Sequence, residues 1–253
     1  MTLIESVVRH ERRVLVAALV VVPLLCWMWI VAMARDMDGP MSGLSAWMMT
    51  PVWDARHTAL LAAMWVAMMI GMMVPSAAPT LLIYAGVMRR NEGPQAALRV
   101  YPMAAGYLVV WGLFSLGATL LQRALSMAVL SPMMVLVNAR AAATVLSIAA
   151  IYQLTPLKTV CLESCRSPIG FIASHIRPGA SGAFRLGVDH GVYCVGCCWA
   201  LMLLLFAGGV MNLWTIAALT VFLLFEKLAP FGGRSRQLSA AGLAAAAAWV
   251  ILH

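Results

Sequence analysis

The sequence predicts an all-α, polytopic transmembrane helix bundle of about seven spans, six if the short last one does not cross. Three observations carry this. The 253 residues are 63% hydrophobic and only 10% charged, whereas a soluble domain is about 45–50% apolar and roughly 25% charged. The apolar residues fall in runs near the ~20 that a helix needs to cross a bilayer. No polar stretch is long enough for a separate soluble domain, so residues 1–253 read as a single membrane domain.

The first span is Val14 to Ala34, behind the polar, basic Met1 to Arg13. It is too long for the core of a cleaved signal peptide and lacks a small-residue cleavage site. A loop from Arg35 to His57 carries Met37, Met41, Met48 and Met49 beside Trp47 and Trp53, aromatics that suit a membrane interface. The second span, about Thr58 to Met88, contains Pro75 and Pro79, which predict a kink that neighbouring helices would satisfy. A basic loop, Arg89 to Arg99, leads to the third span, about Val100 to Gln122. Ser131-Pro132 reads as an N-cap and first turn, opening a fourth span that runs to Tyr152. The longest loop follows, 153–189, with Pro156, Pro168 and Pro178. Within it Ile169, Ile172 and Ile176 are spaced for a short amphipathic helix on the membrane surface. The fifth span is Gly191 to Val210 and the sixth Asn212 to Leu228. The last, Ser239 to Leu252, is short and alanine-rich.

Lys and Arg counts predict the orientation. With seven spans, 13 of the 17 basic residues fall on one face, and Arg35, Arg56, Arg123 and Arg140 on the other. The N-terminus is therefore expected to be cytoplasmic. The net charge of +8 is assigned to these loops. No basic patch has interleaved aromatics, so no nucleic-acid partner is expected. The expected partner is the lipid bilayer, together with a metallochaperone or a membrane complex.

Candidate chemistry concentrates in HGVYCVGCCWALM, His190 to Met202. His190, Cys194, Cys197, Cys198 and Met202 recur at helical spacing, so soft donors share one stripe. Cys161 and Cys165 form a CxxxC in the long loop. On the predicted orientation both groups face a reducing compartment, where clustered thiols read as metal-binding or catalytic rather than structural disulfides. Packing of small residues is the competing reading, and for His190 it weighs about equally. Cys26 stands alone and reads as a small hydrophobe. Asp189 could orient His190, and Arg166 could favour a Cys165 thiolate. Glu226-Lys227 reads as a self-paired, solvated helix end.

The 19 methionines are a second signal. Met64, Met68 and Met72 form one stripe of the second span, and Met69 and Met73 an adjacent one. Thioethers and thiolates select soft metals, Cu(I) above all, with Zn also compatible with a Cys/His set. Packing accounts for a methionine-rich helix equally well. Scarce carboxylates exclude an Mg²⁺ or Ca²⁺ cage. No phosphate-binding glycine loop, Ser-His-Asp order or catalytic carboxylate pair is present.

Three stretches carry a family resemblance: MWVAMMIGMMVPSAAP, then YQLTPLKTVCLESCRSP, then HGVYCVGCCWALM with Glu226-Lys227 after it. They resemble a family of bacterial integral membrane proteins of unknown function, described as predicted metal-binding and sometimes as copper chaperones. The resemblance implies a multi-pass protein of the bacterial inner membrane whose Cys, His and Met groups hold a metal, plausibly copper. The expected ligands are Cys161, Cys165, His190, Cys194, Cys197 and Cys198 at the cytoplasmic membrane face, with Met64, Met68 and Met72 as an intramembrane relay. The expected role is non-enzymatic handling of Cu(I). Two alternatives stay open: a membrane thiol–disulfide oxidoreductase, and an assembly subunit of a membrane complex.

Overall fold

A computed structural model describes residues 3–39, 54–126, 136, 138–228 and 232–252. Every regular element among them is a helix, as the composition required. In order they are α1 (Leu3–Asp38), α2 (Ala55–Glu92), a 3₁₀ turn (Ala96–Arg99), α3 (Val100–Ser126), α4 (Ala139–Gln153) and α5 (Pro156–Arg166). Then come α6 (Pro168–His175), α7 (Gly179–Met202), α8 (Leu204–Gly208), α9 (Leu213–Leu228) and α10 (Gly232–Leu252).

Among the described residues five stretches are long and apolar enough to cross a membrane: Glu11–Met37, Ala55–Glu92, Ala96–Ser126, Gly179–Gly208 and Arg234–Leu252. The α4–α5 pair, bent by 68°, makes a sixth if taken as one broken span. The all-α bundle of about seven spans, or six, is matched in class, and two of its expected spans differ in length. Helix α9 has 16 residues, about 24 Å of rise against a hydrocarbon core of ~30 Å. The last helix, expected to be the doubtful one, has 21 residues and passes. Its basic start, Arg234 and Arg236, had been read as loop.

The outer helices present apolar stripes outward. On α1 these are Val20, Leu24 and Met28, and on α3 Val109, Leu113, Leu116 and Leu120. The spacing is three to four residues, so each stripe is one helix face. An exposed apolar face suits a hydrocarbon solvent and would be a liability in water.

Helix α2 is the central post. Asp54 caps it by accepting from the His57 N–H at 2.7 Å. It runs unbroken through Pro75 and Pro79. Pro75 has no N–H to give to the carbonyl four residues back. That carbonyl belongs to Gly71, and the Trp27 indole of α1 donates to it at 3.3 Å. A neighbouring helix thus repairs what proline removes.

Helix α3 runs antiparallel to α2, with the Trp65 indole donating to Gln122 at 2.7 Å near one end. Helix α7 runs parallel to α3, and glycines set how closely the two approach. A Cβ on Gly187 would stand 1.9 Å from the Met103 carbonyl oxygen, and one on Gly106 2.2 Å from that of Phe184. One on Gly191 would meet Val110 at 2.8 Å. Gly187 and Gly191 form the small-xxx-small pattern that lets membrane helices touch backbone to backbone. Because α3 and α7 are parallel, the intervening chain must travel back along the bundle. The bent α4–α5 pair makes that return.

The stretch 153–189, expected to be a loop, is corrected to helix almost throughout. Pro156 and Pro168 sit at the first turns of α5 and α6, where a missing N–H has no cost. The Thr155 hydroxyl caps α5 by accepting from the Lys158 N–H. A helix does cover Ile169 and Ile172, but only Ile172 and Phe171 are buried, while Ile169 and Ile176 face outward. The reading of Met41, Met48, Met49, Trp47 and Trp53, and that of Ser131-Pro132, lie outside the described residues.

Candidate metal centre

The thiol stretch belongs to the second half of α7, because that helix begins at Gly179 rather than near His190. Helix α5 lies antiparallel against it. The Cys161 sulfur rests on Gly196, where a Cβ would come within 2.7 Å of it. One turn on, the Cys165 thiol lies beside the Cys194 and Cys197 thiols, near enough to interact with them electrostatically. The Cys197 and Cys198 thiols both donate to the Cys194 carbonyl, at 3.1 and 2.8 Å. All six cysteines are free. Among the described residues, no three of His, Cys, Asp or Glu are already arranged to close on one metal ion.

Two lysines enter this region from opposite sides. Lys227, at the end of α9, donates to Cys194 Sγ at 2.9 Å. The same ammonium reaches Ser76 Oγ at 3.2 Å and Met73 Sδ at 3.8 Å, both on α2. The Tyr107 hydroxyl of α3 stands 3.2 Å from Cys194 Sγ and donates to the Met73 carbonyl at 3.1 Å. Four helices therefore meet at Cys194: α2, α3, α7 and α9.

Lys158 of α5 is fully buried. It donates to the Cys197 carbonyl at 2.6 Å and to Glu226 Oε2 at 2.7 Å. Glu226 is also fully buried, and its Oε1 has no hydrogen-bond partner. Arg166 forks onto the Glu226 carbonyl through Nε and Nη2, at 2.8 and 2.6 Å. The last turn of α9 is thus capped by a cation. Arg236 of α10 bonds Thr159 of α5.

The expected residues fare differently. Cys165, Cys194 and Cys197 are brought together. Cys198 lies on the same turn and Cys161 at its edge. His190 is one turn away and buried, its ring between Tyr107 and Phe171 at centroid distances of 5.5 and 5.2 Å. Its Nδ1 has no hydrogen-bond partner, so the expected Asp189 contact is absent there. Met64, Met68 and Met72 are all fully buried in α2, but the methionine that meets the lysine is Met73, from the adjacent stripe. Arg166 serves a carbonyl rather than the Cys165 sulfur. Glu226 and Lys227 are not a solvated pair: both are buried and each bonds a different helix. Met73 stands at the midpoint of α2, and Lys227 brings it together with Cys194 of α7.

Sequence reasoning gave no role to Lys158, Tyr107 and Ser76, read Lys227 as part of a solvated helix end and noted Met73 only in a second methionine stripe. Charge at the end of an apolar span was the available signal for Lys227. For Tyr107, Ser76 and Met73 no sequence signal distinguishes them from packing residues.

A family model for PpoB2, described as a copper chaperone, matches residues 62–250. The chain belongs to that copper chaperone family. The match covers α2 through α10, and so every residue of the thiol and lysine cluster. No curated protein and no solved structure matches the chain. Copper handling is therefore what family membership carries, and the family description is that of a chaperone rather than a catalyst.

Proposed function

We propose that this member of the copper chaperone family is a multi-pass protein of the bacterial cytoplasmic membrane. It takes Cu(I) as cargo on sulfur donors where α5, α7 and α9 meet. The observation that carries this reading is the approach of Cys165, on α5, to Cys194 and Cys197, on α7. Thiolate and thioether donors favour Cu(I) over harder ions. Few such donors suffice, so a ready-made cage of three is not needed. Cys161, Cys198 and the unpartnered Nδ1 of His190 lie within a turn as further donors. The Met64–Met68–Met72 stripe serves as a relay along α2. Five long apolar helices support membrane insertion, and the bias of Lys and Arg supports a cytoplasmic N-terminus. A site midway along α2 would then lie deep in the bilayer, and the copper would pass to an acceptor protein.

The test is elemental analysis of the protein purified after growth in copper, wild type against Cys194→Ser with Cys197→Ser. Copper is expected to fall to background in the double variant. Equal copper in the two proteins would overturn the reading.

A further inference from the structure

We propose that the copper seat is the space now held by the Lys227 ammonium, between Cys194 Sγ and Met73 Sδ. Lysine is a tethered stand-in cation that withdraws when Cu(I) enters. This rests on the copper reading above and adds to it a ligand, Met73, outside the Met64–Met68–Met72 stripe.

An ammonium has three N–H donors. The three partners here are a thiol sulfur at 2.9 Å, a hydroxyl at 3.2 Å and a thioether sulfur at 3.8 Å. Two of the three are sulfur, and a thioether is a weak acceptor. The carboxylate of Glu226, the preceding residue, is not among the three. That carboxylate is committed to Lys158 instead. The lysine therefore sits in a pocket whose walls suit a soft cation better than they suit an ammonium.

Charge points the same way. Ammonium and Cu(I) each carry one positive charge, so exchanging them leaves the charge facing Cys194 unchanged. A divalent ion would add a charge to walls that are wholly buried, which is costly without a new anion. The pocket is thereby matched to a monovalent soft ion.

The exchange balances. Copper–sulfur bonds form to Cys194 Sγ and Met73 Sδ as the Cys194 S–H bond breaks and its proton passes to solvent, and the two N–H contacts to those sulfurs are lost. Lys227 keeps its proton and gives up its bond to the Ser76 hydroxyl as it withdraws. No electron moves, and copper enters and stays as Cu(I). Because the stand-in must leave first, it lowers the apparent affinity of the seat.

The experiment titrates the full-length, detergent-purified protein anaerobically with Cu(I) supplied as its bicinchoninate complex. Lys227→Leu removes the ammonium without adding a donor, so it should bind Cu(I) tighter by about tenfold, while Met73→Leu should bind weaker by on the order of tenfold. Selenomethionine-labelled protein gives a second readout that does not depend on affinity. X-ray absorption at copper should show a Cu–Se vector, and Met73→Leu should abolish it while the other methionines remain. Weaker or unchanged binding in Lys227→Leu would make the lysine a counter-ion and overturn the proposal. So would the absence of Cu–Se scattering in labelled wild type. Cys194→Ser separates the copper reading from this inference. If it binds Cu(I) like wild type, the copper reading itself falls and this inference with it. If it loses copper while Lys227→Leu gains none, the inference alone falls.

Discussion

Helices α2 and α7 each carry a dense run of sulfur, and both runs are buried. Met64, Met68, Met69, Met72 and Met73 on α2 are wholly enclosed, as are Cys194, Cys197 and Cys198 on α7. What differs is the company. Three of the α7 carbonyls or thiols are met by groups from other helices: Lys227 on Cys194, Lys158 on the Cys197 carbonyl, and Tyr152 on the Gly196 carbonyl. The α2 run lies between α1 and α3, where Trp27, Trp65 and Tyr107 make polar contacts, and among the described residues only Met73 of that run meets a charge. Sulfur density alone does not separate a ligand run from a packing run. Buried charge does, because an ion in the interior persists only where something compensates it.

The largest expected effect breaks that compensation. Lys158→Met leaves Glu226 buried without its cation, with Oε1 already unpartnered. Removing one partner of a buried pair costs about 3–5 kcal/mol, whereas replacing both with apolar residues is often neutral. Thermal unfolding in detergent should therefore show a large drop for Lys158→Met. Adding Glu226→Leu should recover most of it. A double variant no more stable than the single one would mean that the pair does not hold α5 to α9. The contrast between the two sulfur runs would then lose its energetic basis.

The sequence made the two sulfur runs legible for the same reason that it could not rank them. Helical spacing collects Cys194, Cys197 and Cys198 on one stripe, and it collects Met64, Met68 and Met72 just as well. Which stripe faces a lysine 154 residues away is set by how helices cross, and spacing within one helix does not encode that. The first three helices were readable because length and apolarity alone define them. Helix α5 was not, because Pro156 and Pro168 read as loop punctuation when they are helix starts. Once α5 was taken for a loop, Lys158 and Arg166 became ordinary loop charges and their pairing with Glu226 was invisible. The Gly187-Val188-Asp189-His190-Gly191 pattern was present and pointed to a helix contact. It extends α7 back past His190 and places the thiols in that helix's second half.

That contact gives a smaller effect. Gly187→Ala places a methyl 1.9 Å from the Met103 carbonyl oxygen, a backbone atom that cannot step aside alone. The α3–α7 crossing must open, at a cost of about 1–3 kcal/mol. Stability should fall by that order in the same unfolding assay. Copper content should fall as well, since Tyr107 of α3 stands against Cys194 of α7. Wild-type stability in Gly187→Ala would show that α3 and α7 are not packed so closely. A stability loss with full copper retention would uncouple the crossing from the thiols.

The smallest effect is expected on α2 itself. Leucine is close to methionine in volume, and such swaps usually cost less than about 1.5 kcal/mol each. A triple variant, Met64→Leu, Met68→Leu and Met72→Leu, should therefore fold and hold as much copper at equilibrium as wild type. The residues proposed to bind copper at rest are Cys194 and Met73, and the substitutions leave both in place. What the triple variant should lose is speed, because a relay shortens the path to a site without changing its depth. Stopped-flow transfer from bicinchoninate-bound Cu(I) reads the loading rate, and elemental analysis reads the equilibrium content. Slower loading with full content sharpens the contrast between a run that passes copper and a run that keeps it. Unchanged loading would reduce the α2 stripe to packing. Reduced equilibrium content would show that the stripe itself holds copper, and the two sulfur runs would then differ in degree rather than in kind.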